Sequence, residues 1–131
     1  MIRKRLKGSD LPDLADLYTF AYQLLDSLPA SYGNGIKKLT ISIENFASIL
    51  VLDKLNMSDK YELLGLYQGI PINEKINKYQ YEDTDIIYLY RGPLIRYSRD
   101  NNRDLKKLVE CVLLNEVSHH FGLKEQLSLN T

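Results

Sequence analysis

The amino-acid sequence predicts an α/β (α+β) fold: a single domain in which a small mixed sheet packs against an N-terminal helix and a C-terminal helix. Three observations predict it. Apolar residues recur at helical spacing near both ends of the chain. Between them, Leu39-Thr40-Ile41-Ser42-Ile43 alternates apolar and hydroxyl residues, while Ile86-Ile87-Tyr88-Leu89-Tyr90 is a continuous β-branched and aromatic run. The length of 131 residues suits one core and is too short for two.

Residues 1–8 form a basic tail, beginning Met1-Ile2-Arg3-Lys4-Arg5-Leu6-Lys7. No long apolar segment follows it, so it reads as solvated chain and not as a secretory signal. Ser9 or Asp10 can cap a helix that has Pro12 near its first turn and Asp13 at its positive end. Leu11, Leu14, Leu17, Tyr18, Ala21, Leu24, Leu25 and Leu28 then place an amphipathic helix over 11–28, ended by Pro29. Gly33-Asn34-Gly35 is turn chemistry. Leu39–Ile43 is a half-buried strand, and Phe46–Leu55 fits either a short helix or a covering loop.

Glu62 to Pro71 reads as a strand interrupted by Gly65 and Gly69, which mark a bulge or the close approach of another backbone. Residues 72–85 are polar and read as a long loop. Ile86–Tyr90 should be the central strand, since it is apolar on both faces. Arg91-Gly92-Pro93 turns the chain, Leu94–Tyr97 makes one helical turn, and the Asn residues of Ser98–Asn102 can cap the last helix. That helix should run from about residue 103 to Phe121 and stop at Gly122.

Composition narrows the function classes. With 17 basic and 17 acidic side chains the formal net charge is zero, so no global field draws nucleic acid to the chain. No apolar run is long enough to span a bilayer. The single cysteine rules out an internal disulfide framework and fits a reducing compartment. A cytoplasmic location is expected, with neither a nucleic-acid nor a membrane partner.

The chemistry is concentrated on the last helix. Leu105, Leu108, Val109 and Val112 form an inward stripe, and Asn115, Glu116 and His119 continue it. An acid and an imidazole on the inward face of a buried helix need partners or water. The run Asn115-Glu116-Val117-Ser118-His119-His120-Phe121-Gly122-Leu123-Lys124-Glu125 has the spacing of His-Glu-x-x-His-x-x-Gly-x-x-Asp. In that motif two histidines one turn apart reach one zinc ion, and the glutamate beside the first acts as general base on the metal-bound water. The glycine lets the chain turn back with a third ligand.

Here Asn115 stands in the first histidine position and Glu125 in the final acidic position. An amide oxygen suits calcium better than zinc, which prefers imidazole or thiolate. Nothing in the sequence compensates: His120 projects to a different side of the helix, and Cys111 lies two turns before His119, roughly 12 Å along the axis. The bland alternatives are a hydrogen-bonded buried Glu116, a core His119, a His120 paired with Glu116, and a solvated Glu125.

Three stretches carry a resemblance to small bacterial zincin-like metallopeptidases, the minimal metallopeptidases. Glu62–Pro71 resembles the ELLGLYxGxP of that family, Ile87–Leu94 is similar to its IxLYRxPL, and Leu113–Leu123 to its LLHExGHHFGL. The resemblance implies a zincin-like domain with zinc as the family cofactor. It makes Glu116 the base, His119 and Glu125 ligands, and Asn115 the occupant of the remaining, degenerate ligand position. Ser118 takes the place of the usual glycine. It also implies that the strand Leu64, Gly65, Leu66, Tyr67 and Gln68 is the sheet edge on which an extended peptide or protein partner pairs. The expectation is a metallopeptidase homologue whose zinc binding is weak or absent and whose peptidase activity is weak or lost. The alternatives are an active metal-dependent hydrolase with a non-standard ligand set, and a non-catalytic peptide- or protein-binding module.

Overall fold

A computed structural model of the chain describes residues 11–37, 39–69 and 85–122. Helix α1 spans Leu14–Ser27. It is capped by Asp13, whose side chain accepts from the Asp16 N–H while Asp16 returns the bond. This reciprocal box satisfies two of the helix's orphan amides, so Asp13 takes the role expected of Ser9 or Asp10, both outside the described residues. Gly33-Asn34-Gly35 is not a simple turn. After a short 3-10 turn at Ala30–Tyr32, it opens helix α2, Gly33–Lys37.

Strand β1, Leu39–Glu44, buries every second residue as its alternation requires. Ser48 caps the short helix α3, Ile49–Lys54, which resolves the ambiguity of Phe46–Leu55 in favour of a helix. The glycine-bearing strand is shorter than expected: β2 is Gly65–Gln68. Strand β3 is Asp85–Tyr90, so Asp85 belongs to the sheet and not to the preceding loop; residues 72–84 lie outside the described residues. The order is β1-β3-β2, with β3 parallel to β1 and antiparallel to β2. The sheet is mixed, its apolar strand central and its glycine-bearing strand at an edge.

Two elements after β3 differ from expectation. Arg91-Gly92-Pro93 does not turn the chain; it is the first turn of a ten-residue helix α4, Arg91–Asp100. Proline fits there because first-turn amides have no intrahelical partner. The Gly92 N–H donates instead to the Asn45 carbonyl at 2.9 Å. Asp104, not Asn101 or Asn102, caps the last helix, α5, Leu105–His120. Asn102 adopts positive φ in the connection. Gly122, at φ 71°, is the stop, its N–H donating to the His119 carbonyl.

The main core lies between one face of the sheet and helices α1 and α5. Leu17, Ile87, Leu89, Leu94, Leu108, Val109 and Leu113 are almost wholly buried there, each worth about 1.5–3 kcal/mol in removed apolar surface. Ala47, Leu52, Leu63 and Tyr90 form a smaller cluster, which strand alternation places on the other face. The Tyr18 hydroxyl accepts from the Ile43 N–H at 2.9 Å, and Tyr22 approaches the Ile41 N–H at 3.4 Å. These tyrosines of α1 thus cover backbone of β1. Gly65 marks where β2 and α5 meet: a Cβ there would stand 2.8 Å from Val112 Cγ1 and 3.1 Å from the Tyr88 carbonyl oxygen. Its missing side chain is explained by helix packing, with no bound peptide needed.

Candidate functional site

The C-terminal half of α5 meets the end of the sheet where β3 begins and β2 finishes. Successive helical residues are about 100° apart, so His120 falls only about 40° from Glu116, whereas Asn115 is about 100° away. The buried positions are Leu108, Val109, Val112, Leu113, Val117 and His120. His120 therefore continues the core stripe, contrary to the reading that it projects elsewhere. Asn115 and His119 sit on its flank, half-buried, and Glu116, nearly covered, lies between His119 and His120 around the helix.

His120 is fully buried and has a polar partner on each ring nitrogen. Its Nε2 lies 2.9 Å from the Gly35 carbonyl oxygen and its Nδ1 3.1 Å from Asp85 Oδ2. The Tyr67 hydroxyl donates to the same Asp85 oxygen and stands 3.2 Å from Nδ1. A carbonyl only accepts, so Nε2 carries a proton. One proton shared between Nδ1 and Asp85 Oδ2, with Tyr67 donating to Asp85, completes the cluster. Gly35 belongs to a helix too short to pair all its carbonyls internally, and His120 supplies the missing donor. No buried side-chain nitrogen or oxygen of the described residues lacks a partner.

Glu116 and His119 form a second pair. Glu116 Oε1 is 3.2 Å from His119 Nδ1, with side-chain exposures of 12% and 42%. Glu116 also receives a hydrogen bond from the Tyr67 backbone N–H. The antiparallel register explains that amide's availability. Tyr90 N–H bonds to Leu64, so alternate residues 66 and 68 face β3, and the Tyr67 N–H points to the open edge. Burial pushes the Glu116 carboxyl above its ordinary range, while His119 and the Tyr67 N–H pull it back in part.

These contacts replace two bland readings: His119, not His120, pairs with Glu116, and His119 is half-open instead of a core residue. The Ser118 hydroxyl donates to the Leu114 carbonyl at 2.9 Å and takes no part in the site. Glu125 lies outside the described residues.

Among the described residues no three His, Cys, Asp or Glu side chains gather to hold a metal. With its Nδ1 turned to Glu116, His119 offers one imidazole nitrogen, Nε2. His120 has both nitrogens engaged, and Asn115 offers an amide. Zinc takes imidazole, thiolate or carboxylate donors in a tetrahedron, and among the described residues here His119 Nε2 is the imidazole nitrogen without a bond to Asp85, Gly35 or Glu116.

Of the strand residues proposed to bind a peptide, Leu64 is buried, Gly65 abuts Val112, and the Tyr67 side chain turns inward to Asp85 and His120. Leu66 and Gln68 lie on the opposite face. The structure thus joins Glu116, His119 and Tyr67. It adds Asp85 and His120, which sequence reading missed. The signal for His120 was its place seven residues after Leu113 and three after Val117. Asp85 carried none, lying in a polar stretch.

No helix among the described residues is long and apolar enough to cross a membrane. A family model described as zincin-like metallopeptidase matches residues 36–128. No curated protein matches the chain.

His120→Ala removes the ring that bonds both the buried Asp85 carboxyl and the Gly35 carbonyl and should destabilise the fold by about 2–5 kcal/mol in urea unfolding. His119→Ala, at the half-open pair, should cost about 1 kcal/mol or less. Equal losses would refute the division of labour between the two histidines. The raised Glu116 carboxyl means that the folded state holds this proton more tightly than the unfolded chain. Its ionisation therefore opposes folding, and the stability present below the ordinary value of 4.5 is lost as pH rises above it. Glu116→Gln should melt higher than wild type at neutral pH, with the difference closing on acidification. A difference that does not change with pH would contradict this.

Proposed function

The chain belongs to the zincin-like metallopeptidase family, and on that premise we propose that it is a cytoplasmic member with a degenerate metal site and weak or no peptidase activity. The observation that carries this reading is the state of the imidazoles. Asn115 occupies the position one turn before His119, and the neighbouring His120 is committed to Asp85 and Gly35. No second imidazole is left to share an ion with His119. Losing even an outer-shell partner weakens metal sites by about 10–100-fold, and a direct ligand matters at least as much.

Glu116 remains where a general base belongs, nearly buried and held by His119 and the Tyr67 amide. Its raised carboxyl suits proton transfer, but without a firmly held ion it has no activated water to act upon. Metal analysis of untagged protein should find zinc well below one equivalent, while Asn115→His should raise zinc content towards one. Near-stoichiometric zinc in wild type, or metal-dependent and Glu116-dependent peptide cleavage, would overturn the proposal.

A second reading, a non-catalytic module for an extended peptide or protein, draws support from the position of β2 at the sheet edge. Backbone pairing there competes with Glu116 for the Tyr67 amide. In a screen of extended peptides, binding should persist or strengthen in Glu116→Ala and vanish for the same peptides with N-methylated backbone amides, which cannot pair with a strand. Binding that survives N-methylation would exclude strand pairing at this edge.

A further inference from the structure

A surface cavity of about 440 Å³ opens at the other end of the sheet, lined by Leu11, Tyr61, Arg91, Gly92, Ile95, Arg96, Arg99 and Asp100. β3 runs between its neighbourhood and the His120 cluster. Asp85 begins that strand at the cluster and Arg91 follows its last residue, so the two places are roughly 17 Å or more apart. The cavity is thus distinct from the site on α5, and nothing about Glu116 or His119 bears on it.

Its charge is unbalanced. Three arginines face one carboxylate, and that carboxylate is matched, since Arg96 Nε lies 3.5 Å from Asp100 Oδ2. The Arg96 guanidinium also lies over the Tyr61 ring, 4.5 Å from its centroid. Arg91 Nε donates to the Pro12 carbonyl at 2.6 Å, which fixes the guanidinium and leaves its terminal fork unspent among the described residues. Among the described residues no carboxylate pairs with Arg91 or Arg99. Lys60 adds a further cation near the rim, 4.3 Å from the centroid of Phe46, whose ring packs edge-on against Tyr61.

Two guanidinium groups with no carboxylate partner among the described residues suit an oxyanion, because their planar donor pairs match carboxylate and phosphate oxygens. The remaining walls, Leu11, Ile95 and the Tyr61 ring, are apolar or aromatic. The volume falls in the range of small-molecule sites. We propose that this cavity binds a small organic oxyanion, its phosphate or carboxylate held by Arg91 and Arg99 and its body lying against Tyr61.

The proposal is tested by titrating the full chain with adenosine monophosphate, citrate and inorganic phosphate, followed by amide NMR shifts and thermal melting. One of the two organic anions should shift resonances of residues 91–100 and Tyr61 and raise the melting temperature; which of them does so separates a phosphate from a carboxylate ligand. Arg99→Gln lies on an exposed side chain and should change the ligand-free melt little while weakening binding at least about tenfold. No response to either organic anion at millimolar concentration would overturn the assignment. So would unchanged affinity in Arg99→Gln, or inorganic phosphate binding as tightly as both organic anions.

Discussion

Among the described residues, the buried contact between His120 and Asp85 joins four elements of the fold. Through it the last turn of α5 is joined to the first residue of β3. Through Nε2 the same ring reaches Gly35 of α2, and through the shared Asp85 oxygen it reaches Tyr67 of β2. Four elements converge on one imidazole. Burying polar groups is unfavourable unless each is hydrogen-bonded, so the arrangement tolerates little movement of any partner. Gly69 shows the tightness: a Cβ on it would come within 2.4 Å of the Asp85 carboxyl carbon.

That anchorage sets the rotation of α5 and so decides what its other polar residues can do. With His120 inward, Glu116 lies against the edge of the sheet, while Asn115 and His119 are left at the margin. Two adjacent histidines thus serve different ends. One is spent on architecture and the other faces the place where chemistry would occur. The architectural bonds need no ion, so this end of the helix stays seated whether or not the marginal positions can hold one.

The large features were readable because they rest on periodicity. The N-terminal helix, the alternating strand, the central apolar strand and the last helix with its glycine stop all follow from repeating apolar positions. The misreadings share a different cause. Gly92-Pro93 looked like a turn because the pair breaks helix interiors, yet in a first turn neither the missing amide of proline nor the flexibility of glycine interrupts anything. A Cβ on Gly92 would also collide with the Phe46 ring at 2.4 Å, a tertiary reason that no local pattern contains. Likewise Asp85 looked like loop polarity because its justification, a histidine 35 positions later, exists only once the chain has folded. Glu116 and His119 were found through motif spacing, and His120 was misplaced although its position on the helix wheel already put it among the core residues.

Both margins of the three-stranded sheet are occupied from within. Tyr18 and Tyr22 reach over the backbone of β1, and Glu116 sits on the outward amide of Tyr67 in β2. An uncovered strand margin is a template on which other chains add and aggregate. The acid that catalysis would require therefore also occupies an outward amide of the sheet, and it does so whether or not a metal is ever bound.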